Sequence, residues 1–377
     1  MSDKYLIDEQ KLCYHGDRVK RWFEAKEWKE AKKIYPIYLE VSPFGACNHE
    51  CTFCGLQGLE ERSSFIDKDV LVERVREMGH LGVKSIMYAG EGEPLLHKGI
   101  AEIVSATKGA GIDVAFTTNG VLMEKIFPVL DRVSWIKVSL NAGTAETYKK
   151  IHKAREGDFD KVLGNIRQAV LLKRKNNYDC VIGAQIVVLP ENEEEILNLV
   201  HELKKVGADY LVVKPYSPHP LGGDEALKIE YLGYDNPGFL VSLEWVEHHV
   251  FSGNFKVIVR YNAFRNIVNE KEHYDRCHSV PFFWSYITAQ GDVYSCSVYL
   301  GDERFKLGNI NEQTFKEIWE GEKRRQNWEM MKDFDASMCR KGCRMDSCNR
   351  FLLALKKEDS SSLERFSDDK VKHINFI

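Results

Sequence analysis

Short apolar segments rich in β-branched residues recur along the first part of this chain, and amphipathic helical segments separate them. The segments with the composition of strands are 35–41, 84–90, 113–119, 135–140, 181–189 and 210–216. Neighbouring parallel strands need a crossover connection, so this alternation predicts an α/β fold with a parallel sheet and helices outside it. Whether the sheet is open or curled into a partial barrel, the loops that leave the carboxyl ends of the strands form the expected site.

The strand–helix alternation stops near residue 235, and the character of the sequence changes after that point. We expect an N-terminal extension with one helix (1–34), the strand–helix region (35–235), a linker helix and strand (236–276), a small cysteine-bearing α+β domain (277–352) and a tail (353–377).

The charge and the N-terminal segment limit the partners that this chain can have. A net charge of −4 and a pI near 6.3 give no global basic field for nucleic acid or for an anionic membrane surface. The charged start MSDKYLIDEQKL lacks an apolar export segment, and no segment has the roughly 18 consecutive apolar residues of a membrane span. We expect a cytoplasmic protein, without nucleic-acid or membrane partners. Most of its ten cysteines lie in two groups, which we expect to serve metal or redox chemistry, while Cys13 and Cys180 stand alone as structural thiols.

Cysteines in the pattern C-x3-C-x2-C follow the first predicted strand, at Cys47, Cys51 and Cys54. Three thiolates on one loop can bind one face of a cubane 4Fe–4S cluster, which normally takes four cysteines. The missing fourth ligand would leave one iron open to another molecule. A zinc site with His49 as the fourth ligand is the alternative, because three cysteines and one histidine are an ordinary zinc set.

The same motif, with Phe53 in its aromatic position, resembles the signature of the radical S-adenosylmethionine (SAM) superfamily. The resemblance implies a partial (β/α)6 barrel over 35–235 and a 4Fe–4S cluster whose open iron binds SAM. One-electron reduction of SAM would then release methionine and a 5′-deoxyadenosyl radical.

The end of the second predicted strand, AGEGEPLLH, is similar to the glycine-rich motif of this family. The resemblance places Gly90, Glu91, Gly92 and Glu93 at SAM. The two glycines would let the backbone approach the ligand, while Glu93 and backbone carbonyls would accept hydrogen bonds from the methionine ammonium.

Short polar side chains also occur at the ends of the following strands. They are Thr118, Asn119, Ser139 and Asn141, with Gln185 on the fifth strand. In the family, positions like Ser139 and Asn141 contact the ribose hydroxyls or the carboxylate of SAM, so we expect all five residues to contact this ligand. Each serine or asparagine taken singly is equally well explained as a turn former, but their repetition at successive strand ends favours a site.

The second cysteine group begins with Cys277, Gly291 and Cys296 in the pattern C-x13-G-x4-C. This spacing resembles the opening of the SPASM and twitch domains of the same superfamily. The resemblance implies a C-terminal domain that holds auxiliary iron–sulfur chemistry.

The remaining cysteines of this group, Cys339, Cys343 and Cys348, depart from the full SPASM pattern, which has seven cysteines for two clusters. Five cysteines imply a shortened, twitch-like domain with one auxiliary 4Fe–4S cluster. We expect Cys277, Cys296, Cys339 and Cys343 as its ligands, with Cys348 as an alternative ligand. A closed four-cysteine zinc site is the structural alternative.

A four-cysteine auxiliary cluster has no open iron, which suits an electron acceptor and indicates a radical SAM oxidoreductase. We expect this enzyme to oxidise or epimerise a sugar or cyclitol-like polyol, and to receive electrons from a flavodoxin or ferredoxin. A peptide or protein maturase is the first alternative, although only about 34 residues precede the first strand where a peptide-binding domain could lie. A non-enzymatic zinc scaffold is the second alternative.

Candidates for acid–base chemistry lie at and after the last predicted strand: Lys214, Tyr216, His219 and Arg260. Lys214 is the best of them, because a strand-end lysine that faces a dry cavity has its pKa lowered toward that of a base. A surface or ion-paired lysine is the alternative.

Overall fold

The structure is a computed structural model that describes residues 4–59, 63–230, 233–234, 236–249, 255–268, 274, 276–337, 339–357 and 371–377. Its strands are β1 (Tyr38–Val41), β2 (Ser85–Tyr88), β3 (Asp113–Thr118), β4 (Val133–Ser139), β5 (Val181–Val188), β6 (Tyr210–Pro215), β7 (Lys256–Val259), β8 (Trp284–Ile287), β9 (Asp292–Tyr294) and β10 (Lys306–Asn309). Its α-helices are α1 (Gly16–Glu24), α2 (Trp28–Ala31), α3 (Lys68–His80), α4 (Ile100–Gly109), α5 (Ala145–His152), α6 (Asp158–Asn176), α7 (Ile196–Val206), α8 (Asp224–Leu227), α9 (Pro237–His249), α10 (Tyr261–Val268), α11 (Phe315–Glu320), α12 (Glu322–Met330) and α13 (Asp346–Lys357).

The strands form one sheet in the order β10-β9-β8-β1-β2-β3-β4-β5-β6-β7. Every neighbouring pair from β1 to β7 is parallel, so the carboxyl ends of these strands lie at one rim. Side chains from β1 through β6 and from β8 line a single cavity, which shows that the sheet curls around it as a partial barrel. The six predicted strands and the parallel α/β fold are confirmed.

Strand β7 lies in the predicted linker, and strands β8, β9 and β10 lie in the predicted cysteine-bearing domain. β7 falls in the expected linker, yet it pairs in parallel with β6 and extends the barrel sheet. β8 opens the expected cysteine domain, yet it pairs in parallel with β1, and β9 and β10 continue the sheet in antiparallel fashion. The boundaries predicted at residues 236 and 277 therefore do not separate independent sheets.

The helix α3 illustrates how the sequence specifies the outer layer. The Asp67 carboxylate accepts hydrogen bonds from two backbone N–H groups of the first turn and so begins the helix. Leu71, Val75 and Met78 are buried on the face that packs against the sheet, each contributing about 1.5–3 kcal/mol of burial free energy. Gly82 follows with a φ of 93°, a left-handed conformation that favours glycine.

The N-terminal extension forms two helices, where the sequence predicts one. Ala25 has an extended backbone, with ψ of 111°, and ends α1. Glu27 and Glu30 then form a reciprocal capping box that begins α2. The break follows because a new pair of side-chain-to-backbone hydrogen bonds competes with helix continuation.

The first and last described segments close the cavity at the amino ends of the strands. The Phe376 ring contacts the rings of Trp135 and Tyr38, with centroid distances of 5.2 and 5.9 Å. His373 stacks on Tyr5 at 5.6 Å. We call these five residues the floor of the cavity.

No helix in the described ranges combines the length and the apolar character that crossing a membrane requires.

Candidate functional site

The first cysteine group lies in the loop that leaves the carboxyl end of β1. Cys47, Cys51 and Cys54 all line the cavity inside the barrel, which has a volume of about 540 Å³. Backbone hydrogen bonds from Glu50 and Thr52 to the end of α5 hold this loop in place, at 3.2 and 2.9 Å. All three cysteines of the motif therefore face one cavity.

Hydrogen-bonding groups lie around the sulfur atoms of this loop. The backbone N–H of His49 donates to Cys47 Sγ at 3.5 Å, and Asn119 Nδ2 lies 3.9 Å from the same sulfur. His152 Nδ1 lies 3.2 Å from Cys51 Sγ. Burial lowers the pKa of His152 to about 3, and its Nε2 donates to the Leu140 carbonyl oxygen at 3.2 Å, so Nδ1 of the neutral ring accepts from the Cys51 thiol. Such contacts orient thiolates and tune the cluster they hold.

The zinc set that includes His49 is not assembled. His49 Nε2 contacts Asp158 Oδ2 at 3.2 Å. In the described part of the chain, ligand atoms of His49, Cys51 and His152 come within 4.8 Å of one another, without Cys47 and Cys54. The three thiols and His49 thus do not form the four-ligand arrangement that a structural zinc ion requires.

The glycine-rich turn after β2 runs directly beside the cysteine loop. A Cβ on Gly92 would lie 2.1 Å from the Ala46 carbonyl oxygen, so only glycine allows this approach. Gly90 has a φ of 123° and also has no room for a Cβ, because Ser42 and Tyr286 lie against it. Both glycines line the cavity, as expected for residues that bring backbone close to a ligand.

The two glutamates of this turn are engaged by the protein. Glu93 accepts hydrogen bonds from Thr118 Oγ1 at 2.6 Å and from the backbone N–H groups of Asn119 and Leu95 at 2.8 and 3.0 Å. Burial raises the pKa of Glu93, and burial raises the pKa of Glu91 to about 7. The Glu93 carboxylate therefore ties the turn to the end of β3.

The polar residues predicted at the strand ends divide into two sets. The cavity is lined by Thr118, Asn119, Ser139 and Gln185, and also by Phe53 of the cysteine loop. Gln185 Nε2 donates to Ser139 Oγ at 3.3 Å, so these two side chains form one polar surface on β4 and β5.

Asn141 does not line the cavity. Its side-chain oxygen accepts a hydrogen bond from the Val187 N–H at 2.7 Å, and its amide nitrogen lies 3.4 Å from His152 Nε2. The side chain is fully buried, and the residue has a left-handed φ of 41°. In this structure Asn141 supports the histidine that contacts Cys51, and its side chain does not face the space available to SAM.

The acid–base candidates all line the cavity, but two of them have their polar atoms occupied by backbone. The Tyr216 hydroxyl donates to the Ala226 carbonyl oxygen at 2.6 Å. His219 Nδ1 accepts from the Leu221 N–H at 3.1 Å, and Nε2 donates to the Ser297 carbonyl oxygen at 3.1 Å. Burial lowers the pKa of His219 to about 4.

The other two candidates present charged groups to the cavity. Arg260 Nε lies 3.3 Å from Asp8 Oδ1. Lys214 makes no hydrogen bond or ion pair with any residue of the described part, and burial followed by the charge of Lys137 lowers its pKa well below the usual value. Of the four candidates, Lys214 is the one whose environment fits the chemistry expected of it.

Lys137 is a cavity residue that the sequence analysis missed. It lies on β4 between Trp135 and Ser139, which also line the cavity. Burial, and then the charges of Arg344 and Arg260, lower its pKa to about 7. Strand alternation could have identified it, because residues two apart on a strand face the same side. Arg344, which forms an ion pair with Glu40 at 2.7 Å, was missed because it lies far from the barrel strands in sequence.

The second cysteine group forms another cluster of thiols. Burial, and then the proximity of Cys343, Cys277 and Cys339, raise the pKa of Cys296 well above its usual value. Thiolates this close repel one another unless a metal compensates their charge, so the donor set fits a metal centre. Cys343 also lines the barrel cavity. Both cysteine groups therefore border the same space.

Donors surround these sulfur atoms as well. Asn349 Nδ2 donates to Cys277 Sγ at 3.3 Å, the Met345 N–H donates to Cys343 Sγ at 3.4 Å, and the Tyr299 hydroxyl lies 3.2 Å from Cys339 Sγ. Cys348 is fully buried and packs in an apolar cluster with Leu12 and Leu352 among its members. This arrangement is compatible with Cys348 as a core residue.

Two families match this chain. Residues 41–203 match the radical SAM superfamily, and residues 277–349 match the SPASM family, described as an iron–sulfur cluster-binding domain. A "Probable GTP 3′,8-cyclase" of Saccharolobus islandicus (strain M.14.25 / Kamchatka #1) is 28% identical over 236 residues, which cover 60% of this chain and 68% of that protein. A protein of the same name from Methanocaldococcus jannaschii is 32% identical over 136 residues, covering 35% of this chain and 45% of that one.

Solved structures share the fold over most of the chain. Streptococcus suis SuiB bound to precursor peptide SuiA has a TM-score of 0.63 at 19% identity, covering 90% of this chain and 76% of that chain. Native anSMEcpe with bound AdoMet has a TM-score of 0.58 at 21% identity, covering 82% of this chain and 90% of that chain.

The two cysteine groups therefore have the surroundings that the two family matches require. Residues 41–203 therefore belong to the radical SAM superfamily and residues 277–349 to the SPASM family, and the cofactors that these two domains imply are SAM, a SAM-binding 4Fe–4S cluster and auxiliary iron–sulfur.

Proposed function

We propose that this protein is a radical SAM maturase that oxidises or crosslinks a residue of a peptide or protein substrate. The observation that supports it most is the single cavity bordered by both cysteine groups. A substrate group in that cavity lies between the SAM site and the auxiliary site. This placement suits an oxidation in which a hydrogen atom leaves toward one side and an electron toward the other.

When bound, SAM and the two clusters supply a 5′-deoxyadenosyl radical and an electron acceptor. The chain's own residues prepare the space in which that chemistry occurs. Gly90 and Gly92 bring backbone beside the cysteine loop, and Ser139 with Gln185 presents a polar surface next to it. The floor closes the opposite end, which limits the access of water to a reactive radical.

Solved relatives remove the main argument against a peptide substrate. That argument is the short segment, about 34 residues, before the first predicted strand. Native anSMEcpe with bound AdoMet and Kp18Cys peptide is covered to 91% by this chain, with a TM-score of 0.57. A chain of this extent is therefore large enough to hold a peptide.

A small anionic molecule is the second candidate substrate. It is favoured by the cationic residues of the cavity and by the relatives named GTP 3′,8-cyclase. The sugar or cyclitol that the sequence analysis favours draws no support from the relatives and structures named above, whose names mention neither.

Anaerobic reconstitution of the full chain tests the radical chemistry. With SAM and a reductant, or with a flavodoxin or ferredoxin as the donor, we expect 5′-deoxyadenosine, together with about eight irons and eight sulfides per chain. The Cys51→Ser variant should lose 5′-deoxyadenosine formation and about four irons. Zinc in place of iron, or no 5′-deoxyadenosine from a fully loaded protein, would contradict the proposal.

Candidate precursor peptides encoded near the gene then test the substrate. A mass loss of about two hydrogens in the peptide, dependent on SAM, is the expected result for a two-electron oxidation or crosslink. Modification of a nucleotide or sugar phosphate, with every peptide unchanged, would favour the second candidate instead.

A further inference from the structure

Two half-buried lysines from alternate strands face the cavity. Lys137 lies on β4 and Lys214 on β6, with β5 between them. Lys137 Nζ lies 5.4 Å from the centre of the Trp135 ring, and in the described ranges neither ammonium has a carboxylate within ion-pair distance. A lysine that is partly withdrawn from water commonly has such a partner.

The surrounding charges make these two ammonium groups harder to explain as structural. The cavity is also lined by Lys11, Arg260, Arg340 and Arg344. Its acidic residues are Glu9, Glu40, Glu91 and Glu93.

The acidic groups near the lysines are already engaged. Glu40 pairs with Arg344 at 2.7 Å, and Glu93 is held by hydrogen bonds from the end of β3. Glu91 accepts from the Ala289 N–H at 3.2 Å. Among the described residues, these carboxylates therefore form no ion pair with either lysine ammonium.

We propose that Lys137 and Lys214 bind an anionic group of the substrate, a phosphate or a carboxylate. This inference deepens the proposed function and rests on it, since it assigns a recognition element to the same substrate. A role as proton acceptor would need only one of the two lysines. A second lysine with guanidinium groups around it matches the charge of a multiply coordinated oxyanion.

The two lysines lie at different heights in the barrel. Lys137 lies two residues before Ser139 on β4, which is about 7 Å farther from the strand rim. Ser139 and Gln185 are in register with Val212 of β6, and Lys214 lies two residues after Val212, toward the rim. An anion that contacts both ammonium groups would therefore lie across the part of the cavity that β4 and β6 line. The lowered pKa values of both lysines are consistent with this, because an anion between them would restore their charge.

Calorimetric titration of the reconstituted full chain, without reductant and with saturating SAM, tests the site. Pyrophosphate is the probe for a phosphate-bearing substrate, and succinate is the probe for the acidic side chain or carboxyl end of a peptide. We expect one of the two to bind, with an affinity at least tenfold weaker in Lys137→Met and in Lys214→Met. Lys137→Arg, which keeps the charge, should retain most of the affinity.

The Lys205→Met variant is the matched control, since Lys205 is an exposed lysine paired with Glu202 at 2.6 Å. Unchanged iron content and SAM affinity in each variant would show that it is folded. Failure of both probes to bind, equal binding by the lysine variants and the wild type, or displacement of the probe by SAM would overturn the inference. Normal 5′-deoxyadenosine formation with no anion binding would refute this site while leaving the radical function intact.

Discussion

Lys137 is a cationic side chain inside the barrel, and its position makes its charge unfavourable in the empty cavity. Its pKa is lowered to about 7 by burial and then by neighbouring cations. The charged groups that face it are Arg344, Arg260, Glu40, Lys11 and Lys214. Between pH 7 and its ordinary pKa of 10.5, the unfolded chain binds a proton here that the folded chain does not. The contribution of Lys137 to the free energy of unfolding therefore becomes more favourable as pH rises across that window.

We predict that Lys137→Met raises the free energy of unfolding by about 1–3 kcal/mol at pH 7, because it removes a half-buried ammonium group that has no ion-pair partner among the described residues. The difference from wild type should shrink as pH approaches 10. Anaerobic thermal unfolding of the reconstituted protein at pH 7 and 9.5 measures it, with Lys205→Met as the surface control. A variant less stable than wild type at both pH values would contradict this account of the charge.

The cysteines of the second group differ in their surroundings, which leads to a second prediction. Cys343→Ser should lose about four irons per chain, because Cys343 lies among the thiols that face Cys296. Cys348→Ser should keep them, because Cys348 packs in the apolar core. Iron and sulfide analysis of both variants decides the matter, and the opposite pattern would make Cys348 the ligand.

The sequence predicted the residues of the site better when their chemistry was local. Cys47, Cys51 and Cys54 are identified by spacing within one loop, and the structure brings all three to the cavity. Asn141 has the residue type and the strand-end position expected of a SAM contact, but its side-chain oxygen accepts a hydrogen bond from the backbone of β5. Lys137 was missed because a lysine in an apolar strand was interpreted as part of the strand rather than as a cavity group.

At the scale of elements, α13 links the auxiliary site to the start of the cysteine domain. The Asn349 side-chain oxygen accepts hydrogen bonds from the backbone N–H groups of His278 and Ser279 at 2.7 and 2.9 Å. Its amide nitrogen donates to Cys277 Sγ at 3.3 Å. One side chain thus fixes the Cys277 loop and also contacts its sulfur.

We predict that Asn349→Asp lowers the midpoint potential of the auxiliary cluster. The substitution keeps the oxygen that accepts from the Cys277 loop, so the loop stays in place. It removes the N–H donor to the sulfur and adds a negative charge, and these two changes disfavour the reduced cluster. A redox titration followed by electron paramagnetic resonance measures the shift. The SAM-binding cluster of the same sample is the internal control, and an auxiliary potential that stays constant or rises would contradict the prediction.

Helices and strands could be predicted from the sequence where the pattern of apolar residues was clear. The partners with which the strands pair could not be predicted. The six predicted strands are present as β1 to β6, because apolar β-branched segments form strands in most contexts. β7 and β8 also read as strands, but nothing in a single sequence indicates which sheet edge a strand will join. The hydrogen bonds of β7 to β6 and of β8 to β1 connect segments far apart in the chain.

At the scale of the whole molecule, the pairing of β8 with β1 makes the barrel and the SPASM domain depend on each other. We predict that a chain ended after residue 276 is insoluble, because it leaves β1 with an open edge and exposes the apolar residues that β8 covers, Tyr38 and Met87 among them. The full-length Cys277→Ser/Cys339→Ser variant is the control, since it loses cluster ligands and keeps the sheet. Solubility and circular dichroism compare the two, and a soluble, folded shortened chain would show that the barrel is independent.

The unbroken sheet has a consequence for electron tunnelling. Tunnelling rates fall steeply with separation, and a hinge between two redox centres would make that separation fluctuate. Here the ladder between β1 and β8 connects the regions that carry the two cysteine groups. The distance between the two cysteine groups is therefore set by a continuous backbone ladder.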